Sequence, residues 1–580
     1  MTVFSHQSFA FYFVIIFYYI LLAAVSFYFS KYVKNTSDFY KASGQTPWLV
    51  AGLSFFMTAF SASVFVANAS FAYNYGLLNI LLIIAQLPTF VFGYFIFSKL
   101  WHRCKCNTAI EFMERRYDHK TAKFFVWTGI PIRILDNANR IYVTAVLFEV
   151  LLGLDLWVAI LFTCIAALIY TVKGGFLGIV VTDTLQAIIM IIIVFVVALM
   201  AFLKVGGISG FMSRVPEGYW TLNPKGSDFN LTLISAWCIV GLVAWNGMWS
   251  LVQKYVSVEK ETDAQKVAAT CGVSYFILFP LLAIPPMCAA VLLPELRGTA
   301  SGAEQSFIKM AEMILPSGLL GLLCFAIFGA TVTSLNSELT VISQIAIQDV
   351  FKKVLINVSE KQKLFLGRII IILVITLCAS IAFAIRPLGG AFRYLINVLG
   401  LTTLPTFIPL LLGLIYRRTP AWGGITSFII GISLSVILRF VFDVPLGWVI
   451  FANGTITACA MLFIGWIWPV SGERKEVVDK LFINLTTPHS SEPAASKPAQ
   501  FRTVLLPVFS GCLALVGIVI LMVSLPFMNN GVLSLPGILT SVLLFIAAAI
   551  VYAIKIIVKN ISDRKDLKIN ETANVCGNVH

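Results

Sequence analysis

The sequence predicts an all-α membrane protein, and three observations lead to that fold class. Of the 580 residues, 59% are hydrophobic and 12% are charged, whereas charged residues make up about 25% of an average soluble domain. Apolar runs of about 20 residues, long enough to cross a hydrocarbon core as helices, recur along the chain. Basic residues cluster in alternate connections between these runs. Membrane lipid is therefore the expected surroundings of most of the chain.

About 15 apolar segments are long enough to span a membrane. The first has neither a basic leader nor an A-x-A cleavage site, so we interpret it as a spanning helix and not as a signal peptide. In chain order the expected segments are 8–30, 47–75, 77–99, 121–152, 154–173, 178–203, 231–257, 266–293, 306–350, 363–386, 390–415, 421–441, 446–468, 503–525 and 534–557.

The basic connections predict the orientation. Placing the N-terminus outside and the C-terminus in the cytoplasm puts them on the cytoplasmic side, as the positive-inside rule expects. They are Lys31 to Lys41, Lys99 to Lys120, Lys254 to Lys266, Lys352 to Lys363, Arg417–Arg418, Arg474 to Arg502 and Lys555 to Lys568. The net charge of +14 then orients helices, and we expect no nucleic-acid partner.

Five expected units lie outside the central helices. They are an N-terminal spanning helix with a basic cytoplasmic loop, additional helices, a cytoplasmic linker, two C-terminal helices and a cytoplasmic tail. Their expected bounds are 1–46, 421–468, 473–502, 503–557 and 558–580, respectively. The linker is the one stretch rich in Ser, Pro and Ala, and we expect no soluble catalytic domain.

Polar residues within the apolar segments are costly and therefore point to function. The richest stretch is Phe328 to Phe351, in which Thr333, Ser334 and Ser337 share one helix face with Ala330 a turn earlier. Hydroxyls together with main-chain carbonyls of an interrupted helix would suit sodium, a hard cation. Alternatively, these hydroxyls bond back to carbonyls one turn earlier and have only a structural role.

Four motifs in order resemble the sodium/solute symporter family, especially its sialic acid and sugar transporting members. The run TSLNSELTVISQIAIQDVF is similar to the family's hydroxyl-rich helix, and YTVKGGFLGIVVTDTLQ to its Gly-Gly and T-D-x-x-Q segment. Gln253–Lys254–Tyr255 is similar to a Gln-Arg-Tyr loop, with Lys in place of Arg. Phe29 to Gly76 is similar to the first cytoplasmic loop and core helix. The resemblance covers about residues 8–470.

The resemblance implies a LeuT-like core of two inverted five-helix repeats, here 47–203 and 231–415, with sodium bound at mid-membrane. A shared sodium site would use three main-chain carbonyls and two hydroxyls, namely those of Met57, Phe60, Ala330, Thr333 and Ser334. A second sodium, which some relatives bind, would use Asp183 and Ser337. Asn336 replaces a hydroxyl there, so one ion or two both stay open. Glu338 departs from the family and could add a ligand, bind a proton or face a basic partner.

Candidate solute ligands come from four helices. Asp136 can pair with Arg133 or with Arg140, leaving either a self-neutralised cluster or one arginine free to bind a carboxylate. Arg140, Gln86 and Ser61 resemble solute contacts of the sialic acid members. Asn246, next to Gly247, could break its helix at the solute site.

The sugar ligands of galactose-type members correspond here to the apolar or aromatic residues Val64, Leu82 and Tyr275. A sugar acid or another small organic anion is therefore favoured over a neutral hexose.

The function predicted is sodium-coupled import of a small polar organic solute by alternating access, in a plasma or bacterial inner membrane. An enzyme is not expected, because all five histidines, at 6, 102, 119, 489 and 580, fall outside the spanning segments. A sodium-independent facilitator or a transporter-like sensor is the alternative. No obligate protein partner is evident.

Overall fold

The computed structural model describes residues 8–30, 46–106, 108–171, 176–224, 229–298, 300–345, 360–487, 500–525, 535–554 and 556. Within them, regular secondary structure is helical throughout. The basic loop 31–45, linker residues 488–499 and tail residues 557–580 lie outside the described residues. The side chains of Thr333, Asn336 and Ser337 also lie outside them.

The helices are numbered here in chain order, with α3, α4 and α17 each including a π-helical turn. They are α1 (Phe9–Ser30), α2 (Trp48–Ala59), α3 (Val64–Asn74), α4 (Gly76–Arg103), α5 (Ala109–Arg116), α6 (His119–Leu152), α7 (Leu156–Thr171), α8 (Phe176–Lys204), α9 (Gly207–Met212), α10 (Leu231–Gly247), α11 (Trp249–Val256), α12 (Glu261–Leu292), α13 (Ala300–Ile314), α14 (Ser317–Ile345), α15 (Glu360–Ile385), α16 (Gly390–Ile415), α17 (Ala421–Val441), α18 (Leu446–Ile467), α19 (Glu473–Thr486), α20 (Gln500–Ser524) and α21 (Leu535–Ile554).

The membrane-spanning character of the chain is evident from helix length and hydropathy. In the part of the chain that the structure describes, 9 helices are long and apolar enough to cross a membrane, or up to 12 if each bent pair is one span. Shorter apolar helices occur at Phe9–Leu22 and Ser317–Val332. The all-helical membrane fold is confirmed, whereas the count of about 15 spans stays a prediction.

Three helix pairs in the described residues bend at a short break; α6 and α7 turn by 116°, and the other two pairs are interrupted spans. The axes of α2 and α3 differ by 64°, and those of α10 and α11 by 53°. Phe60 (φ −93°, ψ 140°) and Met248 (φ −61°, ψ 129°) are extended where the helices break. Broken helices are tolerated at membrane depth only where the freed backbone is buried in protein or lines a cavity. The two breaks are therefore the places to look for a binding site.

Packing places the break after α2 inside the bundle. Helix α2 packs against α8 and α12, and α14 packs against α1, α6 and α8. Outer helices instead expose large apolar side chains, including Phe440 (71% exposed), Trp466 (68%) and Leu373 (64%). Such side chains suit contact with lipid, so the polar residues of the inner helices are separated from it.

The region predicted as a linker begins with a packed helix. Helix α19 covers Glu473–Thr486 and buries Val478, Leu481 and Leu485. The main-chain oxygen of Leu485 accepts a hydrogen bond from Arg103 Nη1 at 3.2 Å. The first half of 473–502 therefore docks on the bundle, because its apolar residues recur at three- and four-residue spacing.

The buried side chain of Arg116 forms hydrogen bonds to main-chain carbonyls at the C-terminal end of α16. The Arg116 side chain donates to the carbonyl oxygens of Gly413 (3.1 Å), Tyr416 (2.8 Å) and Thr419 (3.2 Å). Carbonyls at a helix C-terminus have no partners within the helix, so this guanidinium satisfies groups that would otherwise be unpaired. Burial lowers the pKa of Arg116 below its ordinary value, but five donors in a planar fork suit this task.

We expect Arg116→Ala to destabilise the protein by at least about 3 kcal/mol, because it leaves several buried carbonyls without donors. The matched control is Arg115→Ala, since the Arg115 side chain is 48% exposed and its loss costs less than about 1 kcal/mol. Thermal unfolding of the purified proteins in detergent measures both. Equal melting temperatures for the two variants would contradict the assignment.

Candidate ion and solute site

An oxygen cluster lies at the break between α2 and α3. The Ser334 hydroxyl oxygen is 2.9 Å from Phe60 O, 3.0 Å from Ala330 O and 3.3 Å from Thr58 O. One hydroxyl has a single hydrogen to donate, so it cannot satisfy three carbonyl oxygens at once. The cluster therefore has more acceptor oxygens than donors, which is a suitable environment for a cation.

The local backbone explains the cluster. Helix α2 ends at Ala59, and its last carbonyls carry the negative end of the helix dipole. Phe60 N–H donates to Met57 O at 3.1 Å, which closes the last turn. Within the break, Ala62 N–H donates to Thr331 Oγ1 at 2.8 Å, so α14 is bonded both to the end of α2 and to the broken segment. Ser334 itself is 1% exposed.

The structure brings together Phe60, Ala330 and Ser334 of the predicted ligand set, with Met57 O in the same terminal turn. The predicted ligands Thr333 and Ser337 have side chains outside the described residues. Thr58 O was not among the carbonyls that the resemblance implied, and a main-chain carbonyl carries no residue-specific signal by which the sequence could add it. The alternative for Ser334, bonding one turn back to Ala330, is present as well, since the same hydroxyl reaches both helices.

The predicted second-ion residue Asp183 lies elsewhere in the core, on α8. Its Oδ2 accepts a hydrogen bond from Ser54 Oγ at 2.8 Å, and Lys254 Nζ donates to the same Ser54 oxygen at 2.8 Å. Asp183 is 1% exposed and Lys254 is 4% exposed. A carboxylate and an ammonium thus share one hydroxyl between α8, α2 and α11.

Arg140 on α6 is paired on one side only. Its Nε donates to Asp136 Oδ2 at 3.0 Å, and its side chain is 7% exposed. Arg140 Nη1 has no hydrogen-bond partner among the residues that the structure describes. The predicted local ion pair is therefore present between Asp136 and Arg140. Arg140 still has a buried donor to offer, and its binding of a solute carboxylate stays a prediction.

The neighbouring Asn137 was not among the predicted solute ligands. Asn137 is fully buried, and within the described part of the chain neither its Nδ2 nor its Oδ1 has a hydrogen-bond partner. It lies three residues before Arg140 and therefore on the same helix face. Asn139 Nδ2 meets Ser63 Oγ at 3.4 Å, which ties this part of α6 to the break. The signal available in the sequence was the run of polar residues at 137–140 within an otherwise apolar segment, which could have indicated that Asn137 belongs to the site.

The other predicted solute ligands have structural contacts. Ser61 Oγ accepts from Ser63 N–H at 3.3 Å, within the break. Gln86 Nε2 is 3.4 Å from Trp237 O, and its Oε1 accepts from Thr89 Oγ1 at 3.3 Å. These contacts place Ser61 at the broken segment and Gln86 between α4 and α10.

Asn246 stabilises the second break. Its side-chain Nδ2 donates to Leu242 O at 2.8 Å and to Thr89 O at 3.1 Å. Its main-chain carbonyl oxygen accepts from Trp101 Nε1 at 2.9 Å. The last carbonyls of a helix have no donor within the helix, so the indole N–H provides a partner for the Asn246 carbonyl at the end of α10. In this structure, Asn246 holds α10 against α4.

Glu338 faces a basic partner. Its carboxylate is hydrogen-bonded to Arg133 Nη1, and the two side chains are 9% and 10% exposed. The Arg133 guanidinium also lies 4.3 Å from the centre of the Trp249 ring. Trp249 begins α11 just after the second break. The pair therefore joins α6, α14 and α11 one turn beyond Ser334.

We expect Glu338→Gln to lower the stability of the protein by about 3 kcal/mol or more, because it leaves the buried Arg133 charge unpaired. The more exposed pair Lys309–Glu312, with side chains 40% and 23% exposed, is the matched control, and Glu312→Gln should cost less than about 1 kcal/mol. Thermal unfolding compares them. Adding Arg133→Gln to Glu338→Gln should recover part of the loss, and no recovery would argue against a direct ionic partnership.

The broken helices around a buried oxygen cluster define the class of this protein as a secondary transporter. The chain belongs to the sodium:solute symporter family, whose model matches residues 39–431. Sodium is the coupling ion of this family, and the chain is a transporter and not an enzyme, as the sequence analysis predicted.

Two relatives illustrate the family. The sodium/glucose cotransporter of Vibrio parahaemolyticus is 24% identical over 435 residues, which is 70% of this chain and 80% of that protein. The sodium/sialic acid symporter SiaT of Proteus mirabilis is 25% identical over 467 residues, covering 76% and 91%.

A solved structure agrees with the fold. It is the substrate-bound outward-open state of a Na⁺-coupled sialic acid symporter, with a TM-score of 0.67 and 22% identity, covering 80% of this chain and 99% of that one. The hydantoin-bound transporter Mhp1 gives a TM-score of 0.50 at 10% identity, covering 77% and 100%. These neighbours support a LeuT-like core.

Proposed function

We propose that this protein couples sodium entry to the import of a small organic anion, such as a sugar acid. The observation that carries the proposal is Arg140, a buried guanidinium with one donor already bonded to Asp136 and another without a hydrogen-bond partner in the described residues. A buried donor that lacks a partner is costly. A solute carboxylate is the acceptor that a guanidinium binds best.

The ion is proposed to bind at the Ser334 cluster. Sodium is held there by main-chain carbonyls at the end of α2 and by hydroxyls of α14. The proposed ligands are the carbonyl oxygens of Met57, Phe60 and Ala330 and the hydroxyls of Thr333 and Ser334, with Thr58 O beside them. The ion supplies the positive charge that this surplus of acceptor oxygens lacks.

The solute is proposed to bind along α6 beside the break. Arg140 takes the carboxylate, and Asn137 on the same face offers both a donor and an acceptor to a hydroxyl or amide group. Ser61 contributes its hydroxyl from the break. Gln86 and Asn246 belong to the surrounding wall and are proposed to meet the solute only if their present contacts rearrange.

A polar solute is supported by the relatives, which are named as glucose and sialic acid symporters. A neutral hexose fits the residues less well. Tyr275, at a position where the galactose-type members carry a sugar ligand, stacks on Phe279 with ring centroids 4.0 Å apart and also meets Trp245. An aromatic cluster there lacks the several polar partners that a neutral sugar needs.

Thermodynamic linkage between sodium binding and solute binding accounts for the proposed coupling. Sodium bound at the junction of α2, α3 and α14 stabilises the arrangement that also positions α6, so ion and solute increase each other's affinity by the same factor. A tenfold sodium gradient with a potential of about 100 mV supplies about 3.7 kcal/mol per ion. For a monoanion carried with one ion the potential drops out, and accumulation is about tenfold.

The proposed setting is a plasma or bacterial inner membrane, with the N-terminus outside and the C-terminus in the cytoplasm. The two inverted repeats are proposed to be 47–203 and 231–415, which rock around the site in alternating access. The second candidate is a sodium-independent facilitator or sensor on the same scaffold.

A thermal-shift screen tests the proposal. The purified protein is heated with sugar acids, sialic acids, neutral sugars, amino acids and monocarboxylates, in sodium and in potassium. A ligand stabilises the fold by mass action. We expect an acidic solute to raise the melting temperature in sodium only, and uptake into proteoliposomes to follow the same dependence. A hit that is equal in potassium would favour the facilitator or sensor.

A further inference from the structure

The predicted second-ion position contains a positive charge supplied by the protein itself, the ammonium of Lys254. Asp183 Oδ2 and Lys254 Nζ each lie 2.8 Å from Ser54 Oγ. The carboxylate and the ammonium are therefore within about 6 Å of each other, a distance at which opposite charges stabilise one another in a protein interior. Ser54 is fully buried between them and bonds to both.

The group is electrically balanced. Asp183 and Lys254 are 1% and 4% exposed, so water screens neither charge. The negative charge that a second sodium would require is already neutralised by the ammonium. Adding a sodium ion beside the pair would give the buried group a net positive charge, which is strongly unfavourable without a further counter-charge.

Lysine suits this role chemically. Its ammonium is a compact point charge with three donors, whereas the guanidinium of the corresponding arginine in the family is a broad planar fork. Lys254 reaches the shared hydroxyl as a monovalent cation would. By the family resemblance, Asn336 also replaces a hydroxyl that relatives with a second ion carry. Both departures of this chain in sequence therefore concern residues of the expected second-ion site.

We propose that Lys254 is the resident cation at Asp183 and takes the place of the second sodium ion, so that the transporter binds and moves one sodium per cycle. This inference rests on the proposed function only in taking the Ser334 cluster as the site of that one ion. With a monoanionic solute, the cycle then carries no net charge.

Counting bound sodium tests the inference without knowledge of the solute. Equilibrium binding of ²²Na⁺ to the purified full chain gives ions per protein. We expect one ion for the wild type, and none for Ser334→Ala over the same concentration range. We expect two for Lys254→Gln, because Asp183 and Ser54 are then left with an unbalanced carboxylate. The double variant Asp183→Asn/Lys254→Gln should return to one.

The outcomes separate this inference from the proposed function. Two sodium ions bound to the wild type, one of them lost in Asp183→Asn, would overturn the inference and leave sodium coupling intact. A Lys254→Gln protein that melts like the wild type and gains no ion would also overturn it. Binding of one ion that Ser334→Ala does not affect would instead contradict the proposed ion site.

Discussion

Ser334→Ala is expected to raise the half-saturating sodium concentration for solute uptake by about 10-fold to 100-fold, equivalent to about 1.4–2.8 kcal/mol of ion binding. The hydroxyl is the one described side-chain oxygen that meets Phe60 O, Ala330 O and Thr58 O together. Alanine keeps the helix but removes this oxygen and its hydrogen. The measurement is initial uptake rate in proteoliposomes as external sodium is varied at constant ionic strength.

The matched control is Ser343→Ala on the same helix. Ser343 is also buried and donates to a main-chain oxygen, that of Gly367 at 3.1 Å, but it lies more than two turns beyond Ser334. It should change stability modestly and leave the sodium dependence unchanged. If Ser334→Ala keeps the wild-type sodium dependence, the cluster is a structural junction and the ion binds elsewhere.

Arg140→Lys is expected to reduce the uptake rate at low concentrations of an acidic solute by about 100-fold. Lysine keeps the positive charge, but it cannot keep Nε on Asp136 and offer a second donor in a fixed direction. Loss of a charged hydrogen bond of this kind costs about 1.5–3 kcal/mol. The measurement is uptake of the solute found in the thermal-shift screen.

Arg103→Lys is the matched control for the change of cation type. Arg103 donates to both carboxylate oxygens of Glu261 at 2.8 Å, at the last residue of α4, and it is not among the proposed solute ligands. It should affect stability and not solute affinity. A second control is an analogue of the solute in which a neutral amide replaces the carboxylate. The wild type should bind this amide much more weakly than the acid. Arg140→Lys should bind the amide only slightly more weakly than the wild type does. Normal transport by Arg140→Lys, with unfolding of Asp136→Ala, would make the arginine structural.

The contacts of individual polar residues were only partly predictable. The sequence shows that Glu338 is out of place in an apolar helix, but three roles for it were equally consistent with the pattern. The structure places Arg133 against it, 205 positions earlier in the chain. Asn246 was expected to meet the solute, yet its amide nitrogen donates to two main-chain oxygens. Side-chain partners of this kind depend on which helix faces pack together.

The sequence alone determined the membrane class and the helical architecture, because lipid requires long apolar helices whatever their packing. Four motifs in order indicated the family. The sequence also marked Ser334 and Arg140 as polar residues with a reason to be buried. Only the tertiary structure decided that the Ser334 hydroxyl contacts the end of α2 and that Asp136 pairs with Arg140 while Arg133 pairs with Glu338. It also decided that Lys254 and Asp183 share the Ser54 hydroxyl. Apart from the Asp136–Arg140 pair, each of these is a contact between helices distant in sequence, set by a few ångströms of packing that local residue patterns do not encode.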